Sequence, residues 1–313
     1  MSFWTGKNVV VTGGAGFLGS YVVEGLKDKG CKFVFIPRSK DYDLTDERNI
    51  KAMYEKAEPD IVIHLAAAVG GIGANQKHPG TFFYKNAIMG IQLMEQARLH
   101  GVKKFVTIGT TCSYPEFTNI PFSEDDLWEG YPTEVTAPYG LAKKMLIVQS
   151  RAYEKEFGFN SINLISVNLY GPGDNFNPDT SHVIPALIKR FVDAAKENMN
   201  EVVCWGTGEA SREFIYAKDC AEAIIMAAER YNSSDPVNIG TGKEIKIKEL
   251  VALIVELTGY KGNISWDTSK PDGQPRRCAD VSRARERFGF EARTDFREGL
   301  RNTIEWYKEY IGR

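Results

Sequence analysis

The sequence predicts an α/β fold: a doubly wound parallel sheet with a smaller, interleaved C-terminal α/β part. Two observations predict the sheet. Short apolar runs of strand length alternate with helical patterns through the first half, and a glycine-rich turn follows the first run. A third observation predicts the second part, because loop-like segments replace this alternation after Val167. No composition break marks a linker, so we expect the second part to interleave with the sheet.

The composition is that of an ordinary globular protein. Of the 313 residues, 43% are apolar and 26% are charged, and the formal net charge is −2. This balance gives no support for a nucleic-acid or membrane partner. The N-terminal stretch lacks the apolar core of a signal peptide, and no apolar run reaches the roughly 18 residues of a membrane span. We therefore expect a cytoplasmic protein.

The cysteines and histidines are dispersed along the chain. The five cysteines are odd in number and lack CxxC spacing, and the four histidines do not cluster. This pattern disfavours a disulfide framework and a zinc site. We expect no metal.

The first element is a short apolar run at residues 8–12, suited to a buried parallel strand. A glycine-rich turn follows, and a helical pattern continues to about Lys29. Glycines at this spacing permit a tight turn, close approach of a pyrophosphate and close packing of helix on strand. A bare glycine triplet is often a plain turn, but the flanking strand and helix favour a dinucleotide site. We assign these cofactor contacts: Gly13, Gly16, Phe17, Leu18 and Gly19.

The segment after the second strand (32–36) selects the cofactor. Readers of NAD usually place an acidic residue here for the ribose 2′-hydroxyl, whereas an arginine suits a 2′-phosphate. This chain has Arg38 and Ser39 at that place, with no acid before Asp41, which predicts NADP(H). The alternative is a solvated basic turn. We also expect Asp43 and Leu44 to lie near the adenine.

Two further strands, at about 60–65 and 104–108, flank a helix at about 80–100. The first of these strands opens into Ala66 and Ala67, whose small side chains would let a bound dinucleotide lie against the backbone. The ligand is therefore expected at the carboxyl edge of the sheet.

Tyr139 and Lys143 stand four residues apart, one turn along a single helix face. A lysine ammonium near a phenol favours the phenolate, as does a nearby oxidised nicotinamide. We therefore expect the pair to act as a proton donor or acceptor for a sugar or alcohol oxygen. The alternative is an ordinary amphipathic helix with a surface tyrosine and lysine. The preceding nucleotide-binding features favour the catalytic interpretation.

The second half has a strand at 161–167 and then a loop-like segment at 168–176. A helix begins near 181–182 and reaches the late 190s, and residues 201–205 form a strand. Further helices are predicted near 217–231, 246–258 and 296–311. We place an NADP-binding Rossmann domain at 1–167, with parts of 205–240 returning to it, and a mainly substrate-binding domain at 168–313.

Three motifs in this order, TGGAGFLG, GTTCSYP and YGLAK, resemble the extended short-chain dehydrogenase/reductase family. The later segments NLYGPGDNF, SHVIPALIKRF, WGTGEASREF and KPDGQPRR, with AAAVGGIGAN, are similar to its GDP-L-fucose synthase branch. The resemblance covers nearly the whole chain. It implies NADPH-dependent 3,5-epimerisation and 4-keto reduction of a GDP-4-keto-6-deoxy-hexose, giving GDP-L-fucose. It also implies a homodimer formed through the helix with YxxxK.

The resemblance implies a role for further residues. Thr110 stands where the family has a catalytic serine, and Cys112 with His182 matches the acid/base pair of the epimerisation. A buried apolar cysteine and a helix-capping histidine are the structural alternatives. His182 and Lys143 are also counted as cofactor contacts. The expected contacts to the GDP-sugar are Asn168, Arg190, Trp205, Arg212 and Lys270.

Two other functions fit parts of the sequence. The first is an epimerase-only nucleotide-sugar enzyme that keeps an oxidised cofactor tightly bound, similar to GDP-mannose 3,5-epimerases or UDP-sugar 4-epimerases. Arg38 disfavours it because those enzymes commonly use NAD, and Cys112 with His182 disfavours a simple 4-epimerase. The second is a non-catalytic nucleotide sensor, which the presence of both Tyr139 and Lys143 disfavours.

Overall fold

A computed structural model describes residues 2–270 and 272–312 of the chain. Met1 and Arg313, the end residues of the two predicted domains, lie outside the described residues. So does Pro271 of the KPDGQPRR segment.

The helices and strands alternate regularly as far as β5. In chain order they are β1 (Asn8–Thr12), α1 (Phe17–Asp28), β2 (Phe33–Phe35), α2 (Glu47–Ala57), β3 (Ile61–His64), α3 (Ile72–Lys77), α4 (Pro79–Leu99), β4 (Lys104–Thr110), α5 (Ala137–Phe157), β5 (Ser161–Ser166), β6 (Asn168–Tyr170), α6 (Val183–Lys196), β7 (Glu201–Trp205), β8 (Ser211–Tyr216), α7 (Ala217–Arg230), β9 (Pro236–Ile239), β10 (Glu244–Lys246), α8 (Ile247–Thr258), β11 (Asn263–Asp267), α9 (Ser282–Phe288) and α10 (Phe296–Ile311). Short 3₁₀ turns at Thr111–Ser113 and Glu124–Trp128 lie between β4 and α5.

The central element is a six-stranded sheet in the order β2-β1-β3-β4-β5-β9, with every neighbouring pair parallel. This confirms the predicted doubly wound α/β fold. Thr12 pairs in register with His64, and Thr110 with Ser166. Because the carboxyl ends of parallel strands share one edge, the segments that follow β1, β3, β4 and β5 meet there.

Both faces of the sheet are covered, which explains why its strands are continuous apolar runs. Along β1, Val9 and Val11 join an apolar cluster with α1 and α7, whereas Val10 joins the cluster formed with α2 and α4. Alternate side chains of one strand therefore serve two separate cores.

A third apolar cluster is built mainly from α6, α8 and α10. Beside it lie a three-stranded sheet, β10-β8-β6, and a parallel pair, β11-β7. The expectation of a loop throughout 168–176 is wrong at its start. Residues 168–170 form β6, which pairs in parallel with β8.

The chain returns to the large sheet through β9, which pairs with β5, and through α7, which packs on α1. The division of the chain into the two domains predicted above stays a prediction. Among the described residues, no helix has both the length and the apolar character needed to cross a bilayer.

Candidate active site

The turn after β1 requires glycine at two of its predicted positions. Gly13 has a φ of +71°, and a Cβ there would lie 2.8 Å from the backbone nitrogen of Ala66. A Cβ at Gly19 would overlap the carbonyl oxygen of Gly13 and lie 2.6 Å from the Cα of Gly14. The turn, the start of α1 and the loop after β3 are therefore in backbone contact.

The N-terminus of α1 is open to an anionic ligand. Gly16 occupies the N-cap position and provides no side-chain acceptor. The N–H groups of the first helical turn, at Phe17, Leu18 and Gly19, have no intrahelical acceptor, and they carry the positive end of the helix dipole. This arrangement fits a diphosphate.

The loop after β3 is fixed by a buried asparagine that sequence reasoning missed. Asn86 of α4 accepts a hydrogen bond from the Ala68 nitrogen at 3.0 Å and donates one to the Ala68 oxygen at 2.8 Å. Thr12 Oγ1 also accepts a bond from the Ala66 nitrogen at 3.3 Å. Ala66 and Ala67 are therefore held at the carboxyl edge of the sheet, beside the glycine turn.

Arg38 and Ser39 are exposed in the loop after β2. The part of the chain that the structure describes offers the Arg38 guanidinium no hydrogen bond or ion pair, so the group is available for a phosphate. The Asp43 carboxylate accepts two bonds from Thr45, at 2.9 and 2.8 Å, which lower the pKa of Asp43. Leu44 packs into the apolar cluster beneath the loop. Their contact with an adenine stays a prediction.

Cys112 and Tyr139 are brought together by close packing of the 3₁₀ turn on the start of α5. A Cβ at Gly140 would overlap the Cys112 carbonyl oxygen and lie 2.7 Å from its carbon. Ser113 Oγ donates a hydrogen bond to the Gly140 oxygen at 2.9 Å. The glycine of YGLAK is therefore required for the contact between these two segments.

Thr110, at the end of β4, caps this 3₁₀ turn. Its Oγ1 accepts a hydrogen bond from the Cys112 nitrogen at 3.2 Å. Because the oxygen is the acceptor there, the hydroxyl proton remains available for a carbonyl oxygen of a ligand. The role of Thr110 in place of the expected serine stays a prediction.

Burial dominates the pKa of both Tyr139 and Lys143. Burial, with a smaller contribution from Cys112, raises the pKa of Tyr139. Burial also lowers the pKa of Lys143 to about 8. Desolvation disfavours the charged forms of both groups. The expected phenolate beside Lys143 and an oxidised nicotinamide stays a prediction. In this site the phenol keeps its proton at neutral pH.

His64, at the end of β3, is a further buried group near Lys143. Its Nδ1 is 2.8 Å from Thr12 Oγ1. Burial, and secondly the charge of Lys143, holds its pKa well below the usual histidine range. The imidazole is therefore neutral, and it adds no positive charge beside Lys143.

The structure places two guanidinium groups near Cys112, and sequence reasoning identified only one of them. Arg277 Nη1 donates to Cys112 Sγ at 3.7 Å. Arg212 Nη1 donates to the Gln274 oxygen at 2.7 Å, and burial and then Arg277 lower the pKa of Arg212 to about 10. The second arginine of KPDGQPRR was the available signal for Arg277, but nothing local to that motif indicates a contact with Cys112.

The remaining predicted substrate residues lie on β6, α6 and β7 and in the segment after β11. Arg190 Nη1 donates to the Val203 oxygen at 2.8 Å, and Asn168 Nδ2 donates to the Glu213 oxygen at 3.1 Å. Lys270 and Trp205 are exposed, and the Lys270 ammonium lies 5.8 Å from the centre of the indole ring. Their binding roles stay predictions.

His182 lies directly before α6, at its N-cap position. The preceding carbonyl, Ser181 O, would lie 2.9 Å from a Cβ at Gly71, so this segment packs on the loop after β3. The His182 side chain is exposed, yet the protein around it lowers its pKa through partial desolvation. Within residues 2–270 and 272–312, no hydrogen bond joins it to Cys112 or Tyr139, so its pairing with Cys112 stays a prediction.

No group of three or more metal-ligating side chains is found in the described part of the chain. The arrangement instead offers hydroxyl, thiol and imidazole groups for proton transfer, and a helix N-terminus and guanidinium groups for phosphates.

Comparisons with known proteins agree along almost the whole chain. The model of the NAD dependent epimerase/dehydratase family matches residues 9–240. A protein named probable GDP-L-fucose synthase 1, from Oryza sativa subsp. japonica, is 39% identical over 308 residues, which are 98% of this chain and 93% of that relative.

Two solved structures are also similar to this chain over almost its whole length. A GDP-L-fucose synthetase from Naegleria fowleri bound to NADP has a TM-score of 0.89 at 28% identity, covering 100% of this chain and 97% of that one. A GDP-6-OMe-4-keto-L-xylo-heptose reductase from C. jejuni has a TM-score of 0.93 at 25% identity, covering 99% of this chain and 100% of that one.

Proposed function

The chain belongs to the NAD dependent epimerase/dehydratase family, and we propose that it carries out NADPH-dependent 3,5-epimerisation and 4-keto reduction of a GDP-4-keto-6-deoxy-hexose. The product is GDP-L-fucose. Relatives named GDP-L-fucose synthase match this chain almost end to end. The observation that carries the proposal is the contact between the Cys112 segment and the start of α5, because it puts a thiol beside Tyr139. A reductase that does not epimerise has no need of that thiol.

NADP(H) is the cofactor, and the residues present fit it. The glycine turn and the open N-terminus of α1 suit the diphosphate, and the exposed guanidinium of Arg38, helped by Ser39, suits the 2′-phosphate. NADPH supplies the hydride for C4. The residues at 1–167, with parts of 205–240, form the domain that would hold it.

Tyr139 and Thr110 hold and protonate the C4 oxygen. The raised pKa of Tyr139 keeps its proton available at neutral pH, so it donates to the oxygen when negative charge develops there. Thr110 Oγ1 uses a lone pair on the Cys112 nitrogen and offers its proton to the same oxygen. Lys143, one turn further along α5, restores the positive potential that favours the phenolate after donation.

Cys112 and His182 move protons at C3 and C5, both of which are alpha to the C4 ketone. One group removes a proton, and the electron pair of the broken C–H bond moves to the C4 oxygen as an enolate. The other group returns a proton to the opposite face, and the carbonyl re-forms. The neutral imidazole of His182 and the thiol of Cys112 are chemically suited to these steps.

The GDP part is proposed to bind at the residues around β7 and β8. Arg190 and Arg212 suit the diphosphate because guanidinium groups form paired charge-assisted hydrogen bonds with phosphates. Trp205 and Lys270 form an exposed pair suited to the base. Asn168 is proposed to contact the sugar.

We further propose a homodimer formed through α4 and α5, and a cytoplasmic location. These helices expose several large apolar side chains: Tyr84, Leu99, Met145, Val148 and Phe157. Such side chains are typical of an interface. Val148→Asp is expected to shift the sedimentation coefficient from that of a dimer to that of a monomer.

The test is NADPH oxidation, followed at 340 nm, with GDP-4-keto-6-deoxy-mannose in deuterated water. NMR of the product identifies the sugar and the deuterium at C3 and C5. Oxidation that yields doubly deuterated GDP-L-fucose supports the proposal. Deuterium exchange without oxidation would favour the epimerase-only alternative. The absence of both signals would contradict the proposed substrate and would call for assays with GDP-heptose substrates.

A further inference from the structure

The contact between Arg277 and Cys112 has no place in the mechanism described so far. Arg277 comes from the segment before α9, 165 positions after Cys112, and its Nη1 donates to Cys112 Sγ at 3.7 Å. A guanidinium has donors only, so the sulfur must present a lone pair to it. One lone pair of the Cys112 sulfur is therefore directed at Arg277.

Gln274 holds the Arg277 side chain in this position. Its Oε1 accepts from Arg277 Nε, while its Nε2 donates to the Glu116 oxygen at 2.9 Å. Glu116 follows Cys112 by four residues, so the amide of Gln274 joins the arginine to the segment that carries the thiol. Gln274 thereby fixes the Arg277 guanidinium relative to the segment that carries Cys112.

The loop that carries Gln274 is itself attached to the turn after β7. The Asp272 carboxylate accepts from the Thr207 nitrogen at 2.7 Å and from Thr207 Oγ1 at 2.6 Å. Arg212 donates to the backbone oxygens of Asp272 and Gln274, at 3.2 and 2.7 Å. The loop is therefore hydrogen-bonded to Thr207 and to Arg212, and its position does not depend on Arg277 alone.

We propose that Arg277 is a positioning residue for Cys112, held in place by Gln274, and that it orients the sulfur for proton transfer to and from the sugar. The inference rests on the proposed function, because it assigns Cys112 the epimerisation chemistry. When the sulfur takes a proton, an S–H bond forms, the C–H bond breaks, and its electron pair moves to the C4 oxygen. The guanidinium complements the negative charge that the sulfur carries whenever it lacks that proton.

The test compares Arg277→Gln, Arg277→Lys and Gln274→Ala with the full-length protein. The readout is the rate of deuterium uptake at C3 and C5 at saturating substrate, together with KM. Arg277→Gln is expected to slow exchange about ten- to a hundredfold at saturation. Arg277→Lys, which keeps the charge, recovers most of it, and Gln274→Ala falls between the two.

Arg276→Gln is the matched control. Arg276 is the neighbouring arginine, but its Nε donates to Glu244 at 3.0 Å, away from Cys112. This variant is expected to exchange at the wild-type rate. If Arg277→Gln and Gln274→Ala raise KM but leave the saturated exchange rate unchanged, Arg277 is a substrate contact and the proposal is wrong.

A second readout does not require the substrate. Cys112 is the half-buried cysteine, while Cys31, Cys204, Cys220 and Cys278 are buried, so iodoacetamide should label Cys112 first. The Arg277 guanidinium donates directly to the reacting sulfur, so Arg277→Gln should slow labelling at pH 7 at least about threefold, with Arg277→Lys close to wild type. Equal labelling of all variants overturns the inference. An inactive wild-type protein with these labelling differences would overturn the proposed function instead.

Discussion

Replacing Lys143 by methionine is expected to stabilise the protein at neutral pH and to remove its reductase activity. Lys143 is 4% exposed, and its ammonium donates no hydrogen bond within residues 2–270 and 272–312. Burial lowers the pKa of Lys143 from 10.5 to about 8. At 1.36 kcal/mol for each pH unit, this difference corresponds to about 3 kcal/mol. A methionine side chain at this position would occupy a similar volume without that penalty.

The pH dependence follows from the direction of this change. Below about pH 8 the lysine is protonated in the folded and unfolded states, so the full penalty destabilises the folded state. Between pH 8 and 10.5 the folded state loses the proton first, and the free energy of unfolding rises with pH. The advantage of Lys143→Met should therefore be about 3 kcal/mol at pH 7 and should shrink towards zero by pH 10.5.

The assay is urea unfolding without added nucleotide, at pH 7 and pH 10, followed by fluorescence and circular dichroism. Coincident transitions justify a two-state free energy. Lys104→Met is the matched control, since Lys104 is also 4% exposed and burial lowers its pKa to about 8. Its ammonium donates to the Ala228 oxygen and Asn232 Oδ1, both at 2.8 Å. Each such bond is worth roughly 1.5–3 kcal/mol, so Lys104→Met should be no more stable than wild type.

If Lys143→Met is no more stable than wild type at pH 7, burial of the Lys143 charge does not destabilise the folded state. If the gain in stability persists unchanged at pH 10, desolvation of the charge is not its source.

Three further outcomes are expected. Gly140→Ala should lower the free energy of unfolding by about 1–3 kcal/mol in urea titrations, because the added Cβ overlaps the Cys112 backbone. Gly80→Ala is the control, since a Cβ there has nothing within 4 Å, and it should be neutral or slightly stabilising. Equal effects of the two substitutions would contradict the close packing at Gly140. Arg38→Ala should raise KM for NADPH about ten- to a hundredfold in initial-rate assays and leave KM for NADH unchanged; parallel changes would exclude a 2′-phosphate contact. Tyr139→Phe should lower kcat for reduction about 10²–10⁴-fold in single-turnover measurements, whereas full turnover would refute its role as proton donor.

The sequence predicted the elements that depend on local pattern. The strand at 8–12, the glycine turn and the helices at 217–230, 247–258 and 296–311 agree with expectation because apolar periodicity and turn chemistry act within a few residues. The beginning of the 168–176 segment was missed because β6 is a strand only through its pairing with β8, more than 40 positions away. Short strands of this kind have little local signal.

The proximity of side chains was predictable where motifs specify it, whereas their pKa values depend on burial. The neighbours Cys112 and Tyr139 follow from their motifs, but the direction of the pKa of Tyr139 does not, because the degree of desolvation depends on the packing of α5. Arg277 was missed for a related reason. Its partner is distant in the chain, and no local pattern in KPDGQPRR distinguishes it from Arg276, which pairs with Glu244 on the other side.

The pairing of β9 with β5 affects when the sheet can be completed during synthesis on the ribosome. β5 ends at Ser166, but its neighbour in the sheet begins at Pro236, so a nascent chain must grow by 70 residues before that edge can be closed. At a synthesis rate of roughly 5–20 residues per second, the edge of β5 stays unpaired for roughly 4–14 seconds. An unpaired strand edge is a template for association with other chains. During this interval the newly made protein exposes a strand edge to which a chaperone can bind. Pairing with β9 then closes that edge.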